Sequence, residues 1–172
     1  ADSSIISSFV LSTPLVFFIF IYLHICFRLF VKMAIPDAYF GAWNVDKNEN
    51  FDEFLEAKNV PWIARKGILL AGHNITFTNL GNGRYRAEHK VMDRSCTYEF
   101  TLGETFEIKG LDGVQDKLTV VMEGSNLVEF HTKQDKPNQP VDKQVYCMQD
   151  GKLVQCFSDG KISCKRYYKR KN

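Results

Sequence analysis

Five cysteines and four histidines are the residues of this chain best able to do metal or redox chemistry, and their spacing argues against it. Cys26, Cys96, Cys147, Cys156 and Cys164 form no CxxC pair, and His24, His73, His89 and His131 are scattered. Neither a zinc site nor a disulfide framework is indicated, so the thiols read as reduced. No spacing of nucleophile and base suggests catalysis, and no cofactor motif is present. Asn74-Ile75-Thr76 is a glycosylation sequon that matters only in a secreted chain. Arg166 lies among Lys165, Lys169, Arg170 and Lys171, which by themselves read as a solvated basic end.

Charge and composition narrow the class further. The 172 residues carry 22 Lys plus Arg against 20 Asp plus Glu, a net charge of +2. That field is too weak to point to a nucleic-acid partner. An apolar content of 45% supports one domain with its own core, and a partner recognised by shape or pocket.

The chain divides at Met33. Ile5 to Val31 is nearly uncharged, and the following residues alternate polar and apolar in the ordinary way. Three readings of residues 1–32 stand side by side: a secretory signal, a membrane anchor flanked by Arg28 and Lys32, or translated untranslated-region sequence ahead of a natural start at Met33. The signal reading lacks a basic start and a small-x-small cleavage site. An anchor would carry His24 and Arg28 within or beside the span. The third reading is preferred, because Met33 is the first methionine; it makes 33–172 the domain and the cytoplasm its location, with secretion through the leader as the alternative.

From Met33 onward, strand-like alternation recurs in ten short runs: Ala42–Asp46, Asn74–Leu80, Tyr85–Val91, Cys96–Thr101, Phe106–Ile108, Lys117–Glu123, Leu127–His131, Lys143–Met148, Lys152–Ser158 and Lys161–Tyr168. Gly81-Asn82-Gly83, Gly124-Ser125-Asn126 and Asp150-Gly151 are among the turns between them. One stretch differs. Asn50 and Glu53 have capping-box spacing ahead of Phe51, Phe54 and Leu55, and Pro61 can open a second helix that ends near Gly72. The expected fold is therefore all-β: a ten-stranded, antiparallel, up-and-down β-barrel with a two-helix cap inserted after the first strand. A barrel of that size with helices over one end encloses a cavity, and a small apolar ligand is its default occupant.

Gly41-Ala42-Trp43-Asn44-Val45 followed by Asn50-Phe51-Asp52-Glu53-Phe54-Leu55 resembles the N-terminal signature of the intracellular lipid-binding proteins, the fatty acid-binding protein family, whose barrel is of calycin type. Leu102-Gly103-Glu104-x-Phe106, Asp150-Gly151-Lys152-Leu153-Val154 and Cys164-Lys165-Arg166-Tyr167-Tyr168 follow in the family's order, so the resemblance spans about Tyr39 to Lys169. Trp62-Ile63-x-Arg65 and the Arg166-to-Lys169 ending look more like helminth members than vertebrate ones.

The resemblance implies a monomeric, non-enzymatic carrier of a long-chain fatty acid or similar carboxylated lipid, with Arg166 and Tyr168 on the ligand carboxylate. Strand geometry agrees, because residues two apart face the same side, and guanidinium and phenol are both donors to a carboxylate. The family's fatty-acid members carry an inward Arg four residues before the Asp-Gly turn, where this chain has Tyr146. Tyr146 and Gln144 are then head-group or wall candidates, and Cys156 and Cys164 match buried thiols of cytosolic relatives. Phe51, Trp62, Ile63 and Met92 fall where the family admits its ligand, and Arg65 and Lys66 where it touches membrane surfaces. The loop Thr132 to Asp142 looks longer than the family's and receives no role. Two alternatives remain: a retinoid carrier of the same fold, or a membrane-anchored or secreted interaction protein whose barrel is a packed scaffold.

Overall fold

The computed structural model describes residues 34–136, 138, 140–158 and 161–171; the leader's three readings fall outside the described residues. A 3₁₀ turn, Asp37–Tyr39, leads into β1 (Gly41–Glu49), two helices, α1 (Phe51–Ala57) and α2 (Trp62–Ala71), and then nine strands. These are β2 (Asn74–Gly81), β3 (Arg84–Val91), β4 (Arg94–Thr101), β5 (Thr105–Lys109), β6 (Gln115–Glu123), β7 (Asn126–Lys133), β8 (Asp142–Gln149), β9 (Lys152–Ser158) and β10 (Ser163–Arg170). All neighbours pair antiparallel, and β1 pairs with both β2 and β10, which joins the first strand to the last. Only β4 and β5 end the ladder, so the sheet is a nearly closed up-and-down barrel with two helices after its first strand, as expected.

Alternation sets which side chains face inward. On β6, Asp116, Leu118 and Val120 are buried between exposed or half-buried neighbours, and on β10 Cys164, Arg166 and Tyr168 follow the same period. Two apolar clusters result. One gathers Tyr39, Trp43, Ile75, Phe77, Leu118, Leu127, Leu153 and Tyr168; the other joins Phe51 and Phe54 of α1 to Cys164, with Leu55, Ile68, Leu69 and Phe157 at its edge.

Arg170 fixes the start of β1. Its guanidinium lies 4.4 Å from the Trp43 ring and donates to the carbonyls of Phe40 and Ala38 at 2.8 Å. Trp43 in turn donates its indole N–H to Tyr39 O at 2.8 Å. Gly41, at φ +117°, passes so close that an added Cβ would stand 2.8 Å from an Arg170 nitrogen, which explains a residue without a side chain there.

The helix starts differ from the capping box expected at Asn50. Asn50 sits in the left-handed region at φ 54°, makes no side-chain cap bond, and sends its amide toward Ser163 O at 3.4 Å instead. The chain leaves β1 too sharply there for the extended backbone that a capping residue needs. Pro61 does precede α2, and Gly72 closes it at φ 68°.

Candidate functional site

A cavity of about 320 Å³ lies against α1, lined on the helix side by Phe51, Phe54 and Leu55 and on the barrel side by Phe157, Ile108, Cys96 and a set of polar side chains. Arg166 is one of these. It is 6% exposed, packs its guanidinium 4.3 Å from the Phe51 ring, and donates to Asn48 Oδ1 at 3.0 Å and to His73 Nδ1 at 3.2 Å. Its partners among the described residues are neutral.

From Arg166 the polar groups run around the inner wall. Tyr168 donates to Gln155 Oε1 at 2.7 Å, and Gln155 Nε2 donates to the Tyr146 hydroxyl at 2.7 Å and to Gln144 Oε1 at 3.0 Å. Tyr146 donates to Glu129 Oε2 at 3.0 Å, and Tyr98 to Glu129 Oε1 at 2.5 Å. His89 Nε2 lies 3.1 Å from the Tyr98 hydroxyl, and the His89 ring stacks on His73 at 5.4 Å. Because His73 Nδ1 is also 2.8 Å from the Tyr168 hydroxyl, the circuit closes on itself. This girdle draws on β3, β4, β7, β8, β9 and β10 together with His73, which follows α2.

Two buried carboxylates, Glu129 of the girdle and Asp116 on β6, flank the half-buried His131 ring. Burial pushes the Glu129 carboxyl up, but hydrogen bonds and charge from His131, with the Tyr98 hydroxyl, outweigh it and hold it down to about 2. Burial pushes His131 down, and Asp116 and Glu129, each 3.4 Å away, overcome this and raise it to about 9. His73 has no such partner. Burial, then His89 and the Arg166 charge, lower it to about 2, so it stays neutral. Burial and the Glu129 charge raise the phenols of Tyr98 and Tyr146, which keeps them protonated donors.

The candidate residues separate into groups. Arg166, Tyr168, Tyr146 and Gln144 belong to the girdle, and Phe51 lines the cavity beside it. Cys164 is buried against α1, with its thiol raised to about 11 by burial. Cys156 alternates with Gln155 and Phe157, and those two neighbours line the cavity in its place. Trp62, Ile63 and Met92 are 63%, 78% and 70% exposed and do not line the cavity. Arg65 is buried and paired with Asp52 at 3.0 Å and Glu56 at 2.8 Å, while Lys66 also reaches Asp52. Of the two charges that the resemblance placed at membrane surfaces, Arg65 is instead buried and ties α2 to α1. The four described thiols are free, and no trio of His, Cys, Asp or Glu among the described residues is placed to hold a metal ion.

Glu129, Gln155 and Tyr98 were not singled out from the sequence, and His73 and His89 were noted only as scattered histidines. Glu129 had a signal: it sits two residues from Leu127, so on a half-buried strand it shares the inward face.

No protein-family model matches the chain. Among curated proteins, fatty acid-binding protein homolog 3 of Caenorhabditis elegans is 35% identical over 150 residues, covering 84% of this chain and 91% of that protein. The chain belongs to the fatty acid-binding protein family. A second member, the fatty acid-binding protein homolog of Ascaris suum, is 34% identical over 142 residues, covering 80% of this chain and 86% of its own length. Of solved structures, As-p18, described as an extracellular fatty acid binding protein, superposes with a TM-score of 0.76 at 33% identity, over 80% of this chain and 99% of that one. The Schistosoma mansoni fatty acid-binding protein, solved with arachidonic acid, has the same fold at a TM-score of 0.70 and 20% identity, over 81% of this chain and all of that one.

Proposed function

We infer that this member of the family carries a long-chain fatty acid in the cavity under α1, without a chemical step, and that Arg166 and Tyr168 hold its carboxylate. The observation that carries this reading is Arg166: a buried guanidinium on a cavity wall whose hydrogen-bond partners are neutral. Burying a charge without a counter-charge is costly, and an anionic head group removes that cost. The same charge favours an acid over a retinoid alcohol. Phe51, Phe54 and Phe157 supply the apolar wall for the chain. Transfer of roughly sixteen carbons at ~0.8 kcal/mol per CH₂ gives roughly 12 kcal/mol before association costs, so the chain supplies most of the affinity and Arg166 sets the class of head group.

Trp62 and Ile63 on the first turn of α2, with Leu70 near its end and Met92 on the β3–β4 turn, are exposed apolar side chains suited to transient contact with a membrane surface during loading. Lys66, 43% exposed, supplies a cation on the same helix. Location follows from residues 1–32: cytoplasmic with a start at Met33, secreted with a functional leader, as the extracellular description of As-p18 allows. Organic extraction of the purified chain followed by mass spectrometry tests the reading. A copurifying carboxylated lipid, displaced by added palmitate, is the expected result; a protein that yields no lipid and takes up no palmitate would be a packed scaffold.

A further inference from the structure

Among the described residues, His73 Nε2 is a girdle nitrogen that is shut off from solvent and has no hydrogen-bond partner. The residue is 5% exposed and lines the cavity beside Arg166, and its Nε2 has no hydrogen-bond partner. Buried polar atoms are almost always satisfied, so an orphan on a cavity wall calls for a partner that enters the cavity. Stacking does not provide one, because the neighbouring His89 ring lies nearly parallel, at 22°, and offers a face rather than a lone pair.

The other ring nitrogen decides what Nε2 is. Nδ1 stands 3.2 Å from an Arg166 N–H and 2.8 Å from the Tyr168 hydroxyl. A guanidinium only donates, whereas a phenol does either. The Arg166 contact therefore points to a lone pair on Nδ1, which can also accept from Tyr168 when that hydroxyl turns its single proton away from Gln155 Oε1. A proton on Nδ1 would instead face a cation. In the neutral ring the remaining proton is on Nε2, which makes the orphan atom a donor.

Resting on the fatty-acid reading above, we propose that His73 is a third head-group residue, whose Nε2–H binds one carboxylate oxygen of the ligand while Arg166 binds the other. It supplies the donor that Tyr146, bound to Glu129, does not, and it favours a carboxylate over an alcohol of equal chain length. A neutral imidazole suits this place, because a second cation beside Arg166 would repel it.

The test uses the full chain labelled with ¹⁵N-histidine, with palmitate and hexadecanol as probes. In the free protein the His73 ring should show a bare Nδ1 and a protonated Nε2 that does not titrate between pH 5 and 8. Palmitate should move the Nε2 proton well downfield, and hexadecanol should move it less. His73→Phe should weaken palmitate binding by about tenfold or more, the scale of a hydrogen bond to a charged group, and hexadecanol binding by less; His73→Gln, which restores a donor, should recover much of the loss. Should His73→Phe fail to fold, the resonances of the native ring decide alone. A proton found on Nδ1, or an Nε2–H signal unmoved by bound palmitate, overturns the role of His73 and leaves the fatty-acid reading standing. A native chain that takes up no palmitate overturns both.

Discussion

Tyr146 donates its hydroxyl to Glu129 across 3.0 Å, from β8 to the inner face of β7. Tyr146 occupies the place where the family's fatty-acid members commonly carry an inward Arg. In this barrel an Arg there would meet a carboxylate of the protein rather than that of the ligand. Glu129 already takes bonds from Tyr98 and Tyr146 and lies beside His131, so it draws positive groups to the β6–β7 side. On the proposed reading, the cationic duty toward a ligand falls to Arg166 on β10.

Tyr146→Phe should therefore act on stability more than on ligand choice. The phenol gives one hydrogen bond to a buried carboxylate and accepts one from Gln155, so its loss should cost roughly 1 to 3 kcal/mol. Urea unfolding of the full chain measures this. Palmitate affinity should change less than it does in a variant at Arg166, and the opposite order would make Tyr146 a head-group residue.

Arg166→Gln should weaken fatty-acid binding by roughly 1.5 to 3 kcal/mol, the range for a hydrogen bond to a charged group. The fatty alcohol of equal length should lose much less, since its buried chain is unchanged. Tyr168→Phe should cost roughly 0.5 to 1.5 kcal/mol, because it removes the hydroxyl that would turn from Gln155 Oε1 to donate to the carboxylate. Titration calorimetry with palmitate and hexadecanol reads all of these, and an Arg166→Gln variant that binds acids like the parent would place the anion site elsewhere.

The fold was legible because its signals are local. Ile75 and Phe77 alternate inward on β2 with polar neighbours between them, and Gly81-Asn82-Gly83 supplies the positive φ of the turn that follows. Asn50 misled for a local reason too: a capping residue type was present, but the turn out of β1 put its backbone in the left-handed region. The girdle was harder to read. Arg166 and His73 touch across 93 residues of sequence, and no pattern along the chain encodes such a contact. His73 lies between α2 and β2, outside either periodicity, and Glu129 is a charge where alternation leads one to expect an apolar side chain. Arg166 itself was set apart from its basic neighbours only by the family resemblance.

Deleting residues 1–32 should leave folding and palmitate binding intact. The described residues form a barrel whose strands and helices all lie within Gly41–Arg170, and residues 34–172 cluster as one compact unit. Circular dichroism and fatty-acid titration of the two forms check this. A shortened chain that is insoluble or unfolded would make the leader part of the domain.

The Glu129–His131 pair on β7 should give the protein a recognisable pH profile. His131 is raised to about 9 against an ordinary imidazole near 6.5, so its contribution to stability is complete below about pH 6.5 and is lost as the pH climbs through 9. Glu129 is held down to about 2 against an ordinary carboxyl near 4.5, so its contribution is complete above about pH 4.5 and is lost as the pH falls toward 2. Both terms are whole only between about pH 4.5 and 6.5, where unfolding free energy should be greatest. Stability should fall from there to pH 9.5 by an amount of order 1 to 3 kcal/mol as His131 gives up its proton to the solvent. Urea midpoints at pH 5.5, 7.5 and 9.5 measure the decline. His131→Gln should flatten it, because the amide has no proton to lose between Asp116 and Glu129. Glu129→Gln should reduce the slope without abolishing it, since Asp116 still faces the ring at 3.4 Å. A native profile flat from pH 5.5 to 9.5 would mean that His131 is neutral in the folded barrel and that Glu129 is held by its phenol donors alone.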